Sequence, residues 1–403
     1  MSKCLEIRMG SKQDYLLPSS RRSARSPTDS LWYRALLGLV DEKHVRWVLA
    51  FIFLSSFLMG GATPSQSQSN SARSTDETFI APFLKQRDSN YILKAAYDQQ
   101  GQTATQDTSE FLRPDEFTFA GRPRYVLDGS RPRRLTKLNP FAFAAVQSVY
   151  IGGLTLLHIY QKNTICSSTT SFRLIDNWDE SYGANYGGHM LAGYFLSYLS
   201  AESLLASGLS KQLATIYGAL MGLGYQFYVE VLDGYGLNYG LSPYEMYSNI
   251  LGVIYYLGSA YSPFLQNFTP KFNYYPAPSF GERFKAASKT PIDDYSSWNF
   301  WITANVPHLL SDTYSSFWPK WLDLSFGYSA RNLGYEDRSR IYTIALDYDL
   351  EEILPDGGPS WNWFKHTLNF LKLPSPTWEI WSNRSPRFYL FYPFRISLGT
   401  AHF

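Results

Sequence analysis

Cysteine is scarce in this chain, which contains only Cys4 and Cys166. Cys4 precedes an apolar run with the features of an export signal, so a processed chain would keep a single thiol. A single thiol excludes a disulfide framework. We expect Cys166 to be a small buried hydrophobic residue rather than a reactive group.

The chain also lacks an excess of charge of either sign. Lys and Arg number 36 against 34 Asp and Glu, a formal net charge of +2. Nucleic-acid binding needs a strong and clustered basic field, so nucleic acid is excluded as a partner. A mean hydropathy of −0.24 excludes a polytopic transporter and confines any membrane character to part of the chain.

Familiar catalytic signatures are missing as well. The sequence has no His-Glu-x-x-His zinc motif, no Gly-x-Ser-x-Gly elbow, no phosphate-binding loop and no Gly-x-Gly-x-x-Gly fingerprint. Aromatic residues are abundant instead, at 17% of positions. Tyr and Trp rings suit the boundary between apolar and wet surroundings, which favours a membrane or its surface.

Residues 1–62 have the order of a secretory signal, in which basic residues precede an apolar run and then small residues. The apolar run is Trp47 to Leu58, and Gly60 and Ala62 follow it. Because the uncharged core is shorter than a membrane span, we expect cleavage near Ala62, with a permanent anchor as the alternative. The basic residues are Arg21, Arg22, Arg25, Arg34, Lys43 and Arg46.

Residues 63–137 form a polar stretch that we predict to be a largely disordered linker, because it has little apolar surface to bury. Its second half contains a basic cluster, which we interpret as solvated or facing phosphate groups. The cluster consists of Arg122, Arg124, Arg131, Arg133, Arg134 and Lys137.

Residues 138–268 contain four uncharged stretches rich in Leu, Tyr, Gly and Ala, which predict a four-helix apolar bundle. The short link at 208–210 predicts that the second and third helices are antiparallel neighbours. Ser242 followed by Pro243 indicates the start of the fourth helix. Membrane embedding is favoured for the bundle, and a soluble or peripherally bound bundle is the alternative. The stretches are Leu138 to Gln161, Ser181 to Ala201, Gln212 to Val229 and Met246 to Pro270.

Residues 269–403 change to the period of half-buried strands, which is clear from Leu322 to Tyr328 and from Tyr342 to Leu350. A short helix is predicted from Trp361 to Leu371. Three or four strands are too few for an eight-stranded membrane barrel, so we expect a small antiparallel sheet packed on the bundle or lying on lipid. The predicted fold class is α+β, with a disordered leader and linker, a four-helix bundle and a β-rich aromatic tail.

Several short segments follow one another in order from about residue 171 to residue 381. They are Asp176-Asn177-Trp178 to Gly188-His189, Glu230 to Gly234, Ser242 with Glu245, Asn249 and Gly252, Thr269 to Phe272, Trp301 to Asn305, Pro319 to Leu322 with Phe326 to Tyr328, Leu346 to Leu350, and Leu373 to Thr377. In this order they resemble the YfiM-like family of predicted periplasmic lipoproteins, a domain of unknown function. The resemblance implies an envelope location and a fold pattern, but no reaction.

Three features depart from that family pattern. Asn185-Tyr186 stands where the family usually has an Asp-Lys pair, and Glu245 stands where it has an aspartate. The lipid-bearing cysteine is missing, so lipidation is not implied. The bundle alone has a weaker resemblance to VanZ-like membrane proteins, which place a histidine, a glutamate and a spaced acid-to-asparagine pair on successive helices.

The candidate site consists of ionisable and amide side chains in or at the ends of the apolar helices: His189, Glu230, Asp233 and Asn249, with Glu245 beside them. Glu230 and Asp233 share a helix face because they are three residues apart. We predict that His189, Glu230 and Asn249 meet in the bundle core, each from a different helix. The pattern favours a polar cluster that fixes helix packing, and a zinc or iron site or an acid–base site is the alternative. The cofactor remains open.

Two classes of function therefore stand. The first is a bacterial cell-envelope protein, in the periplasm or membrane, that organises lipid or a protein partner. The second is a bundle enzyme, a hydrolase or transferase that acts on a lipid-linked substrate through the His, Glu and Asp cluster. Membrane lipid is the expected partner in both.

Overall fold

The computed structural model describes residues 110–163, 167–175, 179, 181–276, 294–394, 397–398 and 401–402. The predicted leader, most of the predicted linker, and both cysteines lie outside the described residues. The described chain combines helices with an antiparallel sheet, as the α+β prediction requires.

The described residues contain four long helices: α1 Pro140–Asn163, α2 Ala184–Ala206, α3 Lys211–Gly234 and α4 Pro243–Tyr261. Helix α2 packs against both α3 and α4. Glycine makes the α2–α4 approach possible, because a Cβ added at Gly252 would lie 2.0 Å from the Met190 carbonyl oxygen. Small residues allow such close helix contact.

Helix α1 differs from the other three. Its only buried residue is Gln161, whereas Val149 and Leu156 are more than two-thirds exposed, at 76% and 70%. It meets α3 through single bonds such as Tyr150 Oη to the Met221 carbonyl oxygen at 2.9 Å. The compact helical layer is therefore built from α2, α3 and α4. Among the described helices, α1 alone is long and apolar enough to cross a membrane.

The predicted start of the fourth helix is observed, because the Ser242 hydroxyl accepts a bond from the Glu245 backbone N–H and Pro243 occupies the first turn. The predicted end is wrong. The helix stops at Tyr261, two residues before Pro263, and the strand Phe268–Tyr274 begins inside the stretch assigned to the helix. A proline two residues past the last turn disfavours continuation of the helix.

The main sheet has six antiparallel strands in chain order: β3 Phe268–Tyr274, β4 Trp298–Ala304, β5 Leu322–Arg331, β6 Ser339–Tyr348, β7 Thr377–Trp381 and β8 Arg387–Tyr389. Only three or four strands were recognised from the sequence. Strands β3 and β4 were missed, because they are rich in aromatic residues on one face and mix Trp with polar residues on the other. The remaining strands pair as two-stranded ribbons: β1 Thr118–Phe119 with β2 Arg122–Pro123, and β9 Ser397–Leu398 with β10 Ala401–His402. Four short helices, α5 to α8, lie at Val306–Leu309, Asp312–Ser315, Leu350–Ile353 and Pro359–Leu368.

The two faces of the main sheet differ in polarity. One face is buried and mostly polar, and it includes Lys271, Thr303, Ser325 and Asp347, all at 2% exposure or less. The opposite face is aromatic and aliphatic. On β3 and β4 that apolar face packs against α2, where the Phe300 ring approaches Gly187. The helices and the sheet thus share an apolar interface.

Residues 110–137 are ordered, so the prediction of a largely disordered linker is wrong for its described part. Phe117 and Val126 are buried at 1% and 0% exposure against α2 and α3. The basic cluster is not uniformly solvated, because the Arg122 guanidinium lies 2.6 Å from Asp349 and Arg124 pairs with the buried Glu202. Residues 110–137 are polar overall, but the buried side chains of Phe117 and Val126 and the ion pairs of Arg122 and Arg124 hold them against the rest of the chain.

Candidate functional site

Three helices each contribute a pair of polar residues four positions apart, and residues so spaced share one helix face. The pairs are Asn185 and His189 on α2, Gln226 and Glu230 on α3, and Glu245 and Asn249 on α4. We call these six residues the helical cluster.

The imidazole of His189 lies at the centre of the helical cluster. Its Nδ1 atom is 3.2 Å from Glu230 Oε1 and 3.3 Å from Asn249 Oδ1. Its Nε2 atom is 3.7 Å from Glu245 Oε2. The structure therefore brings His189, Glu230 and Asn249 together from three helices, and Glu245 joins them.

Asn249 ties α3 to α4 within the cluster. Its Nδ2 group donates to Glu230 Oε1 at 3.2 Å, and its Oδ1 atom accepts from Gln226 Nε2 at 2.8 Å. Asn249 itself is fully buried. Both ends of the amide are used, so its orientation is fixed.

Glu245 is held from two sides. It lies in the first turn of α4, where its backbone N–H donates to the Ser242 hydroxyl. Its carboxylate accepts a 2.7 Å bond from Asn185 Nδ2. An aspartate at position 185 would present an acceptor here instead of the amide donor.

Glu230 is the most buried acid of the cluster, with a side-chain exposure of 0%. Burial raises the pKa of its carboxyl well above the ordinary value, and the neighbouring Glu245 and Asp233 carboxylates raise it further. Its Oε2 atom is buried and accepts no N–H or O–H bond from the described residues, while the Glu245 carboxyl is close enough to share a proton with it. A buried carboxyl oxygen without a partner is costly, and a proton or a cation would relieve that cost.

Asp233 does not join the cluster. It lies one turn further along α3, where its Oδ1 atom accepts a 3.2 Å bond from Gln161 of α1. Its contribution to the site is the electrostatic effect on Glu230 described above. Asp233 thus links α3 to the outlying helix.

His189, Glu230 and Glu245 form a group with the donors of a metal site. Each offers one ligand atom, and these atoms all lie within 4.8 Å of one another. Ligands bound to zinc at about 2.0–2.2 Å in a tetrahedron are roughly 3.4 Å apart. Coordination therefore requires the ligand atoms to draw closer and the two carboxylates, which face different ring nitrogens of His189, to meet at one of them. One imidazole and two carboxylates suit zinc, iron(II) or manganese.

The same geometry also has the elements of an acid–base site. Both ring nitrogens of His189 face a carboxylate, and the side chains of His189 and Glu245 are 13% and 12% exposed. An imidazole between two acids can pass a proton from one to the other.

Comparison with protein-family models gives no match, and neither curated proteins nor solved structures give a significant match to this chain. The YfiM-like and VanZ-like resemblances gain no support from these comparisons and stay predictions.

The sequence interpretation missed Asn185 and Gln226, and it left Glu245 outside the candidate site. A signal for all three was present, because each is four residues before a residue that was chosen. A search for repeated polar pairs at this spacing within uncharged helices would have found them.

Proposed function

We propose that this protein is a cell-envelope protein that binds a divalent transition-metal ion through His189, Glu230 and Glu245. The ion would join α2, α3 and α4 at their common contact. Asn249, Gln226 and Asn185 would orient the ligands, as outer partners do at metal sites. This proposal extends the predicted structural role, since an ion that joins three helices also fixes their packing.

The observation that carries the proposal is the Glu230 carboxyl. It is fully buried, its Oε2 atom accepts no N–H or O–H bond from the described residues, and the Glu245 carboxyl is close enough to share a proton with it. A helix-packing role alone does not require two acids beside each other. A divalent ion would neutralise both acids and occupy the free oxygen, which accounts for their burial together.

Metal analysis tests the proposal. Full-length protein purified in detergent is dialysed against zinc or manganese, and bound metal is measured by mass spectrometry. We expect about one ion per chain for the natural protein, and loss of that ion in His189→Gln and Glu230→Gln variants.

A matched control is available in the same chain. His366 Nδ1 lies 2.7 Å from Glu351 Oε1, a histidine–glutamate pair outside the helical cluster. The His366→Gln variant should keep the ion. Equal metal content in the natural protein and the His189→Gln variant would exclude the proposed site.

We also propose that the protein is attached to membrane lipid in the bacterial envelope. Helix α1 supports this, because it has 24 residues, is apolar, and buries only Gln161 among its residues. The full-length protein should stay with the membrane fraction during an alkaline wash. Release into solution would contradict attachment.

A second function, an enzyme acting on a lipid-linked substrate, is favoured by the partial exposure of His189 and Glu245. Catalytic zinc sites have three protein ligands and an open position. Cobalt-substituted protein tests for that position, because azide should shift its absorption spectrum when a ligand site is free. An unchanged spectrum would favour the packing role over hydrolase or transferase chemistry.

A further inference from the structure

The outward face of strands β5 to β8 is apolar and uncovered by the described residues. One row of the register crosses all four strands, from Phe326 through Ile344 and Trp378 to Phe388. These side chains are exposed at 53%, 44%, 53% and 38%, respectively. Tyr342 and Ile380, at 51% and 39%, form the adjacent row.

The inward face of the same strands is mostly polar, although Ile341, Ala345 and Tyr389 are also buried there. Ser325 and Asp347 are fully buried there, and Thr343 and Glu379 are 4% and 3% exposed. A sheet with one face in water normally turns its polar positions outward and buries its apolar ones. Here the alternation has the opposite sense, which is typical of sheets that face lipid.

The apolar face is long enough to reach well into a bilayer. On β6 the outward positions from Tyr342 to Tyr348 carry no charge, and Arg340 precedes them. At about 3.3 Å per residue, the uncharged stretch from Tyr342 to Tyr348 is roughly 20 Å long, about two-thirds of the ~30 Å hydrocarbon core of a membrane.

The two ends of this face are chemically different. Both hairpin turns at one end are basic, because Arg338 and Arg340 border one turn while Arg384 and Arg387 border the other. Asp337 pairs with Arg384 at 2.6 Å, and Glu336 is the second acid, so these acids offset only part of the charge. Basic side chains at the end of an apolar face can pair with the anionic phosphates of lipid headgroups.

Aromatic residues lie at the other end. Trp321 is 43% exposed and its ring lies 6.3 Å from that of Tyr348. Phe317, in the same loop, is 85% exposed. Trp and Tyr concentrate at the boundary between hydrocarbon and headgroups.

Apolar exposure extends to the helical layer, where Leu220 of α3 and Leu251 and Ile254 of α4 are 57%, 53% and 57% exposed. A single protein partner or a second copy of the chain would cover one patch, whereas lipid covers apolar surface on several elements at once.

We propose that the outward face of β5 to β8, the row through Ile344 with its arginine and aromatic ends, lies against the hydrocarbon of a lipid bilayer. The arginine end contacts anionic headgroups, and the Trp321 end lies at the opposite boundary. This surface is independent of the metal site and of helix α1.

Spin labels on the full-length chain test this surface. Ile344→Cys and Ile380→Cys variants are made with Cys4 and Cys166 replaced by serine, and the labelled proteins are placed in vesicles of phosphatidylcholine and phosphatidylglycerol. Asn383→Cys, in the exposed turn between β7 and β8, is the matched control. Collision rates with oxygen, which concentrates in hydrocarbon, and with a water-soluble nickel chelate are compared by electron paramagnetic resonance.

The expected result is an oxygen-to-nickel collision ratio several-fold higher at positions 344 and 380 than at 383, unchanged when the protein is diluted with lipid. A ratio equal to that at position 383, which the proposal places at the headgroup end, would put the face outside the hydrocarbon. Low collision rates with both reagents would mean that protein, such as a second copy, covers it. Either result would overturn the proposal. Two label positions keep the test valid if one variant folds poorly, which its thermal unfolding in detergent would reveal.

Discussion

The helical cluster and the polar side of the sheet are both buried, but they differ in charge balance. In the sheet, Asp347 lies 3.0 Å from Lys271 Nζ and 3.3 Å from Lys372 Nζ, and it accepts bonds from Thr303 and Ser325. We call these five residues the sheet cluster. In the helical cluster two carboxyls meet one imidazole and several amides, and one carboxyl oxygen lacks a partner among the described residues.

The sheet cluster is a structural network with cationic partners for its acid, whereas the helical cluster has more acidic side chains than cationic partners. A buried acid with two ammonium partners and two hydroxyl donors is satisfied by the chain itself. A buried pair of acids around one imidazole requires a proton or a cation from solution. The sheet cluster should therefore affect stability equally with and without metal, whereas the contribution of the helical cluster should depend on metal.

The largest expected effect is in the sheet cluster. Lys271→Met should lower the free energy of unfolding by about 3–5 kcal/mol, because it leaves Asp347 with one cationic partner in a buried site. Denaturant unfolding in detergent, with and without zinc, measures the loss. Lys320→Met, at an exposed position, is the control and should change stability by less than about 0.5 kcal/mol. Equal stability of the two variants would show that the sheet cluster contributes little.

Metal should produce the next largest effect, and only through the helical cluster. Zinc at about one hundred times its dissociation constant should raise the free energy of unfolding by about 2.7 kcal/mol. In the Glu230→Gln variant this increase should disappear, while stability without metal should not fall, since the variant removes a buried carboxyl. Thermal unfolding with and without zinc checks both statements. An equal zinc-dependent increase in the variant would contradict the assignment of Glu230 as a ligand.

The sequence predicted the helices better than the strands. Uncharged stretches locate α1 to α4, and Ser242 with Pro243 locates the start of α4. The strands β3 and β4 were hidden, because their inward positions mix Trp301 with Lys271 and Asn299 and so lack simple alternation. The ordered structure of residues 110–137 depends on partners that are distant in the sequence, such as Glu202, and no local sequence pattern reveals them.

For the site, the sequence identified residue types but not their mutual positions. The polar pairs at four-residue spacing indicate one face on each helix. Which faces meet depends on close packing, for example at Gly193, where an added Cβ would lie 2.5 Å from the Asn249 carbonyl oxygen. Such contacts set the relative heights of α2 and α4, and they follow from the folded structure alone.

A pH dependence should distinguish the two clusters further. Because the folded pKa of Glu230 is raised above the ordinary 4.5, the folded protein keeps a proton that the unfolded chain loses. The contribution of Glu230 to stability without metal should therefore be full below about pH 4.5 and fall as pH rises towards its folded pKa, then level off. Asp323, whose pKa burial raises to about 7, adds a slope of the same sign. Thermal unfolding in metal-free buffers across this range measures the slope. Glu230→Gln should reduce it, and a slope of equal size in that variant would contradict the explanation.

The smallest expected effect is the coupling between neighbours within the helical cluster. His189→Ala and Glu230→Ala remove partners that lie 3.2 Å apart, so the double variant should differ from the sum of the single variants by about 1 kcal/mol. A cycle between His189 and Asp233, which bonds to Gln161 instead, is the comparison and should be closer to additive. Strict additivity between His189 and Glu230 would mean that the two side chains do not interact in solution.

The most direct test of the central claim is the position of a bound ion. Crystals of the full-length protein grown with zinc would be measured on both sides of the zinc absorption edge. The account predicts an anomalous peak at about 2.0–2.2 Å from one His189 ring nitrogen and from oxygens of Glu230 and Glu245. An ordered helical cluster without such a peak, or a peak bound elsewhere with His189 still between the two acids, would contradict it.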